Sequence, residues 1–301
     1  MRFSSILRAG SVLLGVLFAV ATLTRSTCAQ TVYVAGTVFA GGGAGTQGRL
    51  GVLDLSSGSV STIGSTGGVL LTGLALASDG TLYGSATNTS GQGVLYRVNR
   101  ATGAVTQYGN TFNLGGSLTS ITFGTGGQLF GLVNAASGQA NLARFTLTTT
   151  PTATVSALSP AFASDGGLAF DGANLFATQG SETDALGNSS IYQISSASNS
   201  DVVLPGDPGF NGATAYALTF ADGSLYAIDN GPPPGPGTGT LGGIYQVDPA
   251  TGNGALVQTY DTAAFGAIYA ASNVFTTPEP GTLALAAVVV GVLPFVRRKR
   301  R

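Results

Sequence analysis

Twelve carboxylates supply nearly all the acid–base chemistry in the central part of this 301-residue chain: Asp54, Asp79, Asp165, Asp171, Glu182, Asp184, Asp201, Asp207, Asp222, Asp229, Asp248 and Asp261. Residues 30–277 hold no His, no Lys and no Cys, and their only bases are Arg49, Arg97, Arg100 and Arg144. A Ser-His-Asp triad, a thiol nucleophile, a Schiff-base lysine and a His-ligated metal are therefore excluded by composition. No G-x-S-x-G elbow occurs. What remains is a carboxylate pair, which would make the protein a lyase or hydrolase, or an oxygen-ligand site for a hard cation such as Ca²⁺.

The acids best placed for such a site are Glu182, Asp184 and Asp229, which fall in the longest polar segments, with Asp207 and Asp261 nearby in links. No D-x-D-x-D-G calcium loop supports them. Several other acids stand in Asp-Gly pairs, where a turn explains them without chemistry. The sequence thus predicts no catalytic residue, no metal and no cofactor. Gly43-Ala44-Gly45-Thr46-Gln47-Gly48 matches a dinucleotide-binding glycine pattern. That pattern requires a following helix to hold the pyrophosphate; here RLGVLDL follows, which reads as a strand. Asn88 and Asn188 open Asn-x-Ser patterns of the N-glycosylation type.

The elements that carry these residues repeat. Each copy has an apolar strand, an Asp-Gly or Gly-Gly turn, a Leu-aromatic pair, a polar loop, then an aromatic strand ending in a Thr-Gly-like turn. The clearest copy begins at Leu71. Aligning the first strands places Leu74, Ile121, Leu168, Leu218 and Ile268 in register, at intervals of 47, 47, 50 and 50 residues. Four short strands in that length indicate a β-propeller. The N-terminal VYVAGTVF, RLGVLDL and SVSTIG match the second, third and fourth strands of a copy whose first strand is missing. The C-terminal FGAIYAAS is a first strand without successors. The two halves complement one another, so the expected ring has five four-stranded blades, one of them built from both ends. Tyr83, Phe130, Phe176 and Tyr226 recur at one position and are expected to pack between blades. Asp79-Gly80, Asp171-Gly172, Asp222-Gly223 and Gly126-Gly127 are expected as two-residue hairpin turns. The segments Gly41–Gly48, Gln179–Ser190 and Asp229–Gly243 join second to third strands, and the loop-face site is expected there. LYRVNRATG and IYQVDPATG resemble the blade repeats of bacterial quinoprotein and NHL propellers; the resemblance implies a fold and no activity.

The two ends differ from the body. Arg2 and Arg8 flank an apolar stretch from Ile6 to Leu23, and Thr27 and Ala29 provide small residues for cleavage between Ala29 and Gln30. This is the layout of a secretory signal peptide over residues 1–29. Cys28 lies before that cut. At the other end, Pro278-Glu279-Pro280 precedes an apolar run, Thr282 to Val296, and then Arg297, Arg298, Lys299, Arg300 and Arg301. Fifteen residues make a helix of about 22 Å, a short transmembrane segment whose basic end would stay cytoplasmic. Pro294 interrupts its last turn.

Residues 278–301 resemble the PEP-CTERM sorting signal of Gram-negative bacteria, with its three parts in order. The resemblance implies transient membrane anchoring, processing by an exosortase-type enzyme, and a destination at the cell surface or in an exopolysaccharide matrix. It says nothing of the body. The whole chain carries a net charge of −1, but without both ends the body has 4 Arg against 12 acids, a net of −8. The near-zero charge of the whole chain argues against a basic nucleic-acid binder, so no nucleic-acid partner is expected. The expected function is a non-catalytic surface or matrix interaction module. A glycan- or ligand-binding module working through the long-loop face, and a carboxylate-only lyase or hydrolase, are the alternatives.

Overall fold

A computed structural model of the protein describes residues 30–38, 47–164, 166–179, 190–210, 215–230 and 241–272. Twenty strands form five four-stranded antiparallel sheets. The chain begins with β1 (Thr31–Val38), β2 (Gln47–Asp54) and β3 (Val60–Ser65). Blade I follows as β4 (Gly73–Leu76), β5 (Leu82–Thr87), β6 (Gly93–Val98) and β7 (Val105–Gln107). Blade II is β8 (Gly116–Phe123), β9 (Leu129–Ala135), β10 (Ala140–Thr146) and β11 (Thr152–Ala157). Blade III is β12 (Leu168–Phe170), β13 (Leu175–Thr178), β14 (Ile191–Ile194) and β15 (Asp201–Val203). Blade IV is β16 (Ala215–Ala221), β17 (Ser224–Asp229), β18 (Leu241–Val247) and β19 (Gly254–Asp261). A single helical turn, α1 (Thr262–Phe265), leads to β20 (Ala267–Ala271).

Strand β20 pairs with β1, not with a strand of blade IV, and the closing sheet runs β20-β1-β2-β3. The chain is an all-β, five-bladed propeller with its two ends joined in one blade. The five residues that the repeat placed in register, Leu74, Ile121, Leu168, Leu218 and Ile268, lie on the five inner strands and are all buried. The inter-blade aromatics are buried as expected: Tyr83 packs edge-on to Tyr108 at 5.5 Å and to Phe123 at 5.7 Å. None of the helices among the described residues is long and apolar enough to cross a membrane. The leader (1–29), the sorting motif Pro278-Glu279-Pro280, the apolar run and the basic tail lie outside the described residues.

Neighbouring blades are hooked together by the turn between third and fourth strands. The Asn99 side chain accepts the N–H groups of Ala101 and Thr102, and Asp248 accepts that of Ala250. These bonds wind the chain into a turn that ends on a left-handed glycine, Gly103 or Gly252. In each case the glycine faces the preceding blade. A Cβ on Gly103 would stand 2.8 Å from the Gly64 backbone of the closing blade, and one on Gly252 would stand 2.6 Å from Leu204 of blade III. Gly58, the counterpart in the closing blade, lies against Thr259 of blade IV. Blades II and III lack the glycine and use other hooks. Tyr108 of blade I donates its hydroxyl to the Thr148 carbonyl in the blade II turn at 2.7 Å. Arg144 of blade II donates to the Ser196 carbonyl and to Asn199 Oδ1 in the blade III turn. Asn199 itself takes the left-handed conformation at φ 57°.

This arrangement separates two costs of a glycine substitution. Gly91 has φ +75° with open space around it, so Gly91→Ala carries backbone strain alone, about 1 kcal/mol. Gly103→Ala has φ +77° and a collision besides. It is expected to cost about 2 kcal/mol, read as the larger fall in urea midpoint at unchanged slope.

The hairpin turns between first and second strands correct the sequence reading in part. Asp222-Gly223 is the expected two-residue turn, with both residues at positive φ. At Asp79-Gly80 only the glycine is left-handed, and Gly80 N–H bonds to Ala77 while Ala77 N–H bonds to Thr81. One extra residue is thus accommodated as a bulge, because the strand pairing stops at Leu76↔Leu82. At the third copy the turn pair is Gly172-Ala173, with Asp171 preceding it as the capping residue.

Candidate functional site

Seven of the nine described carboxylates accept a backbone N–H through their side chain. Asp54 takes Ser56, Asp79 takes Thr81, and Asp171 takes Ala173 and Asn174 at 2.7 and 2.6 Å. Asp207 takes Gly209, Asp229 takes Gly243, Asp248 takes Ala250, and Asp261 caps α1 through Ala263 and Ala264. The consequence is electrostatic. Donation from Ser56 holds the Asp54 carboxyl below its usual range, and the Thr81 and Ala250 N–H groups do the same for Asp79 and Asp248. These acids stay ionised as turn acceptors and do not share protons as a catalytic pair would.

Of the loop-face acids, Glu182 and Asp184 lie outside the described residues, as do most of the three long segments. Asp229 is placed differently from a surface ligand. It is 2% exposed, at the end of β17, and its carboxylate receives the Gly243 N–H at 2.6 Å. Around it is a buried polar knot. The Tyr260 hydroxyl lies 3.1 Å from the Asp229 carbonyl and 2.9 Å from Asn230 Oδ1, and Asn230 Oδ1 also accepts the Ile268 N–H at 2.6 Å. Burial pushes the Tyr260 hydroxyl well above its usual range, with the Asp229 charge adding to the effect, so it remains a neutral donor. The knot ties blade IV to β20. Asp229 therefore sits in the seam of ring closure. Among the described residues no three His, Cys, Asp or Glu side chains stand together as metal ligands. Asn88 uses its side-chain carbonyl for Ser90 and Gln92 N–H groups, holding its own loop; Asn188 lies outside the described residues.

A cavity among the described residues lies at the opposite face. The turns between first and second strands of blades I, II and III surround a hollow of about 740 Å³. Its wall has Tyr83, Phe123, Leu147, Phe170 and Phe220, and its rim has the glycine turns with Asp79 and Asp171. Tyr83 and Phe123 are buried, while Phe170 and Phe220 are partly buried against the core. Cβ atoms at Gly126, Gly127 and Gly172 would meet nothing, so the rim is open. Sequence reasoning missed this cup because each turn taken singly reads as structure; ring closure alone assembles them. The signal available was the apolar residue just before each turn, Phe123, Phe170 and Phe220, at a spacing of 47 and 50 residues.

No protein-family model and no curated protein matches the chain. Solved structures resemble it in fold. One is a 6-phosphogluconolactonase-like protein from Bacteroides uniformis, at 14% identity over 77% of this chain and 68% of that one, with a TM-score of 0.41. Another is a luciferin-regenerating enzyme, at 12% identity over 77% and 73%, TM-score 0.42. A third is the PQQ-bound aldose sugar dehydrogenase of Streptomyces coelicolor, at 17% identity over 63% and 67%, TM-score 0.40. At these values the fold rests on the strand order alone, and the activities in those names belong to those proteins.

Proposed function

We propose that the protein is an exported, non-catalytic interaction module of the cell surface or extracellular matrix. The observation that supports this most directly is how the carboxylates are used. The body has no His, Lys or Cys, and seven of its nine described acids serve as backbone acceptors in turns and caps. A general acid needs a proton to give at working pH; Asp54, Asp79 and Asp248 are held ionised, and the other four of the seven are tied into turns, a seam and a cap. A closed ring with no disulfide suits life outside the cell, since the shared closing blade joins the first and last described strands in one sheet.

Destination comes from the ends. The leader before Gln30 would direct export, and the tail from Pro278 to Arg301, with Glu279, Pro280, Arg297, Arg298 and Arg300, would hold the chain at the membrane until an exosortase-type enzyme removes it. The released propeller would then lodge in exopolysaccharide or other envelope components. The test is intact mass of the protein from envelope and medium, with matrix retention scored in a gene deletion. A released species running from Gln30 to about residue 280 and a loss of matrix cohesion on deletion are expected. A full-length C-terminus in both fractions, or an unchanged matrix, overturns the reading.

A further inference from the structure

The cup at the hairpin-turn face combines three properties. It is about 740 Å³, a size that takes a small molecule or a headgroup. Its wall is aromatic and aliphatic, with two partly buried phenylalanines, Phe170 and Phe220. Its lining includes two carboxylates, Asp79 and Asp171, and no basic side chain. Two blade I arginines border the Asp79 side without lining the cup: Arg97 lies over the Tyr108 ring at 4.6 Å and its charge reaches Tyr83 and Asp79, and a Cβ on Gly80 would stand 3.4 Å from the Arg100 guanidinium.

An apolar wall alone would take any greasy group, and carboxylates alone would take any cation. Together they select a cation with an apolar surface. An anion meets the Asp171 carboxylate, an Asp79 carboxylate only partly offset by Arg97, and a body of net −8. A hydrated metal ion would have to shed water against phenyl rings, and Asp79 and Asp171 each spend one oxygen on their own turn. A substituted ammonium keeps its charge, is weakly hydrated, and is attracted to both ring faces and carboxylates.

We propose that this cup is a binding site for organic ammonium groups. The proposal rests on the non-catalytic binding reading above, and it fails separately: a protein that holds the matrix yet ignores ammonium ligands keeps that reading and loses this one. Such a group could arrive as a free amine or as a choline lipid headgroup. The shared chemistry is a quaternary or alkylated nitrogen bearing methyl or benzyl substituents.

The test titrates the full chain with benzyltrimethylammonium by calorimetry or NMR, beside benzyl alcohol and benzenesulfonate. The variant that isolates charge is Asp79→Asn/Asp171→Asn, because an Asn side-chain carbonyl still accepts the turn N–H groups and the hairpins survive. Expected results are saturable binding of the ammonium probe alone, weakened about tenfold in the double variant and reduced by added salt. Phe220→Ala, with folding confirmed by its melting curve, should weaken binding several-fold as well. Equal affinity for benzyl alcohol, no loss in the double variant, or no binding at millimolar probe overturns the proposal. Vesicles then separate the sources. Retention on phosphatidylcholine over phosphatidylglycerol, abolished in the double variant, assigns the headgroup; equal retention with soluble-probe binding intact assigns a free amine.

Discussion

A chain that stops at Gly266 is expected to lose the cooperative unfolding transition altogether, while one that stops at Thr277 keeps it. The five residues of β20 are few, but each of their roles is non-redundant. Ile268 is wholly buried and packs in the cluster that contains Val34, Tyr260 and Phe265. Loss of such a side chain costs about 2–5 kcal/mol on its own. Ala267, Ala270 and Ala271 are buried beside it. Without β20 the ladder Val34↔Ala271 to Thr37↔Ala267 disappears, and β1 becomes an edge in the middle of the molecule. The Tyr260 and Asn230 polar groups lose the Ile268 N–H, and Thr219 loses the Ser272 carbonyl. Those losses together reach the whole stability of a typical domain, about 5–15 kcal/mol. Circular dichroism melts of both chains decide the matter. A cooperative transition in the shorter chain, within a few degrees of the longer, would mean that four blades stand without closure. Ile268→Ala gives the graded version, with an expected loss of about 3 kcal/mol.

That closing blade was legible from the repeat, and the reason is physical. A propeller buries one apolar position per inner strand at a constant distance from the axis, so Leu74, Ile121, Leu168, Leu218 and Ile268 recur at near-constant spacing. Strand composition is a local property, so half-repeats at the two ends could be matched by inspection. The turn types were less legible. Asp79-Gly80 and Asp222-Gly223 read alike in sequence, yet the first is bulged and the second is a tight two-residue turn, because pairing ends one residue earlier in blade I. The blade hooks show the same limit. Gly103 and Gly252 announce themselves, whereas Tyr108 and Arg144 perform the same task with unrelated chemistry. The site was least legible. Asp229 looked like a loop acid and is a seam residue, and the cup draws on four blades that are distant in sequence.

Asp201 departs from the rule that acids here serve the backbone, and the departure sets the pH dependence of stability. It lies in β15 at 7% exposure, and neither carboxylate oxygen has a hydrogen-bond partner. Arg144 of blade II is committed to Ser196 and Asn199 and lies over the Phe130 ring. Burial disfavours the charged form by more than the nearby Asp201 and Ser159 N–H groups favour it, and pushes the Asp201 carboxyl from an ordinary value of 3.8 up to about 6. The folded state therefore holds this proton more tightly than the unfolded chain. Stability from this group is fully present below pH 4 and is lost as pH rises through about 6, a decline of about 3 kcal/mol by pH 7. Asp54, Asp79 and Asp248 act in the opposite sense. Their depressed values make them stabilising above pH 4, with that contribution lost as pH falls further. The two trends leave a stability maximum near pH 4–5, more acidic than is usual for a domain. Urea midpoints measured from pH 3 to pH 8 should trace that maximum. Asp201→Asn removes the charge and keeps the shape. It should raise stability at pH 7 by about 1–2 kcal/mol, less than the full penalty because a buried amide still lacks partners, and should bring no gain at pH 4. A variant that gains equally at both pH values would mean that packing, and not the buried charge, limits the blade II–III junction.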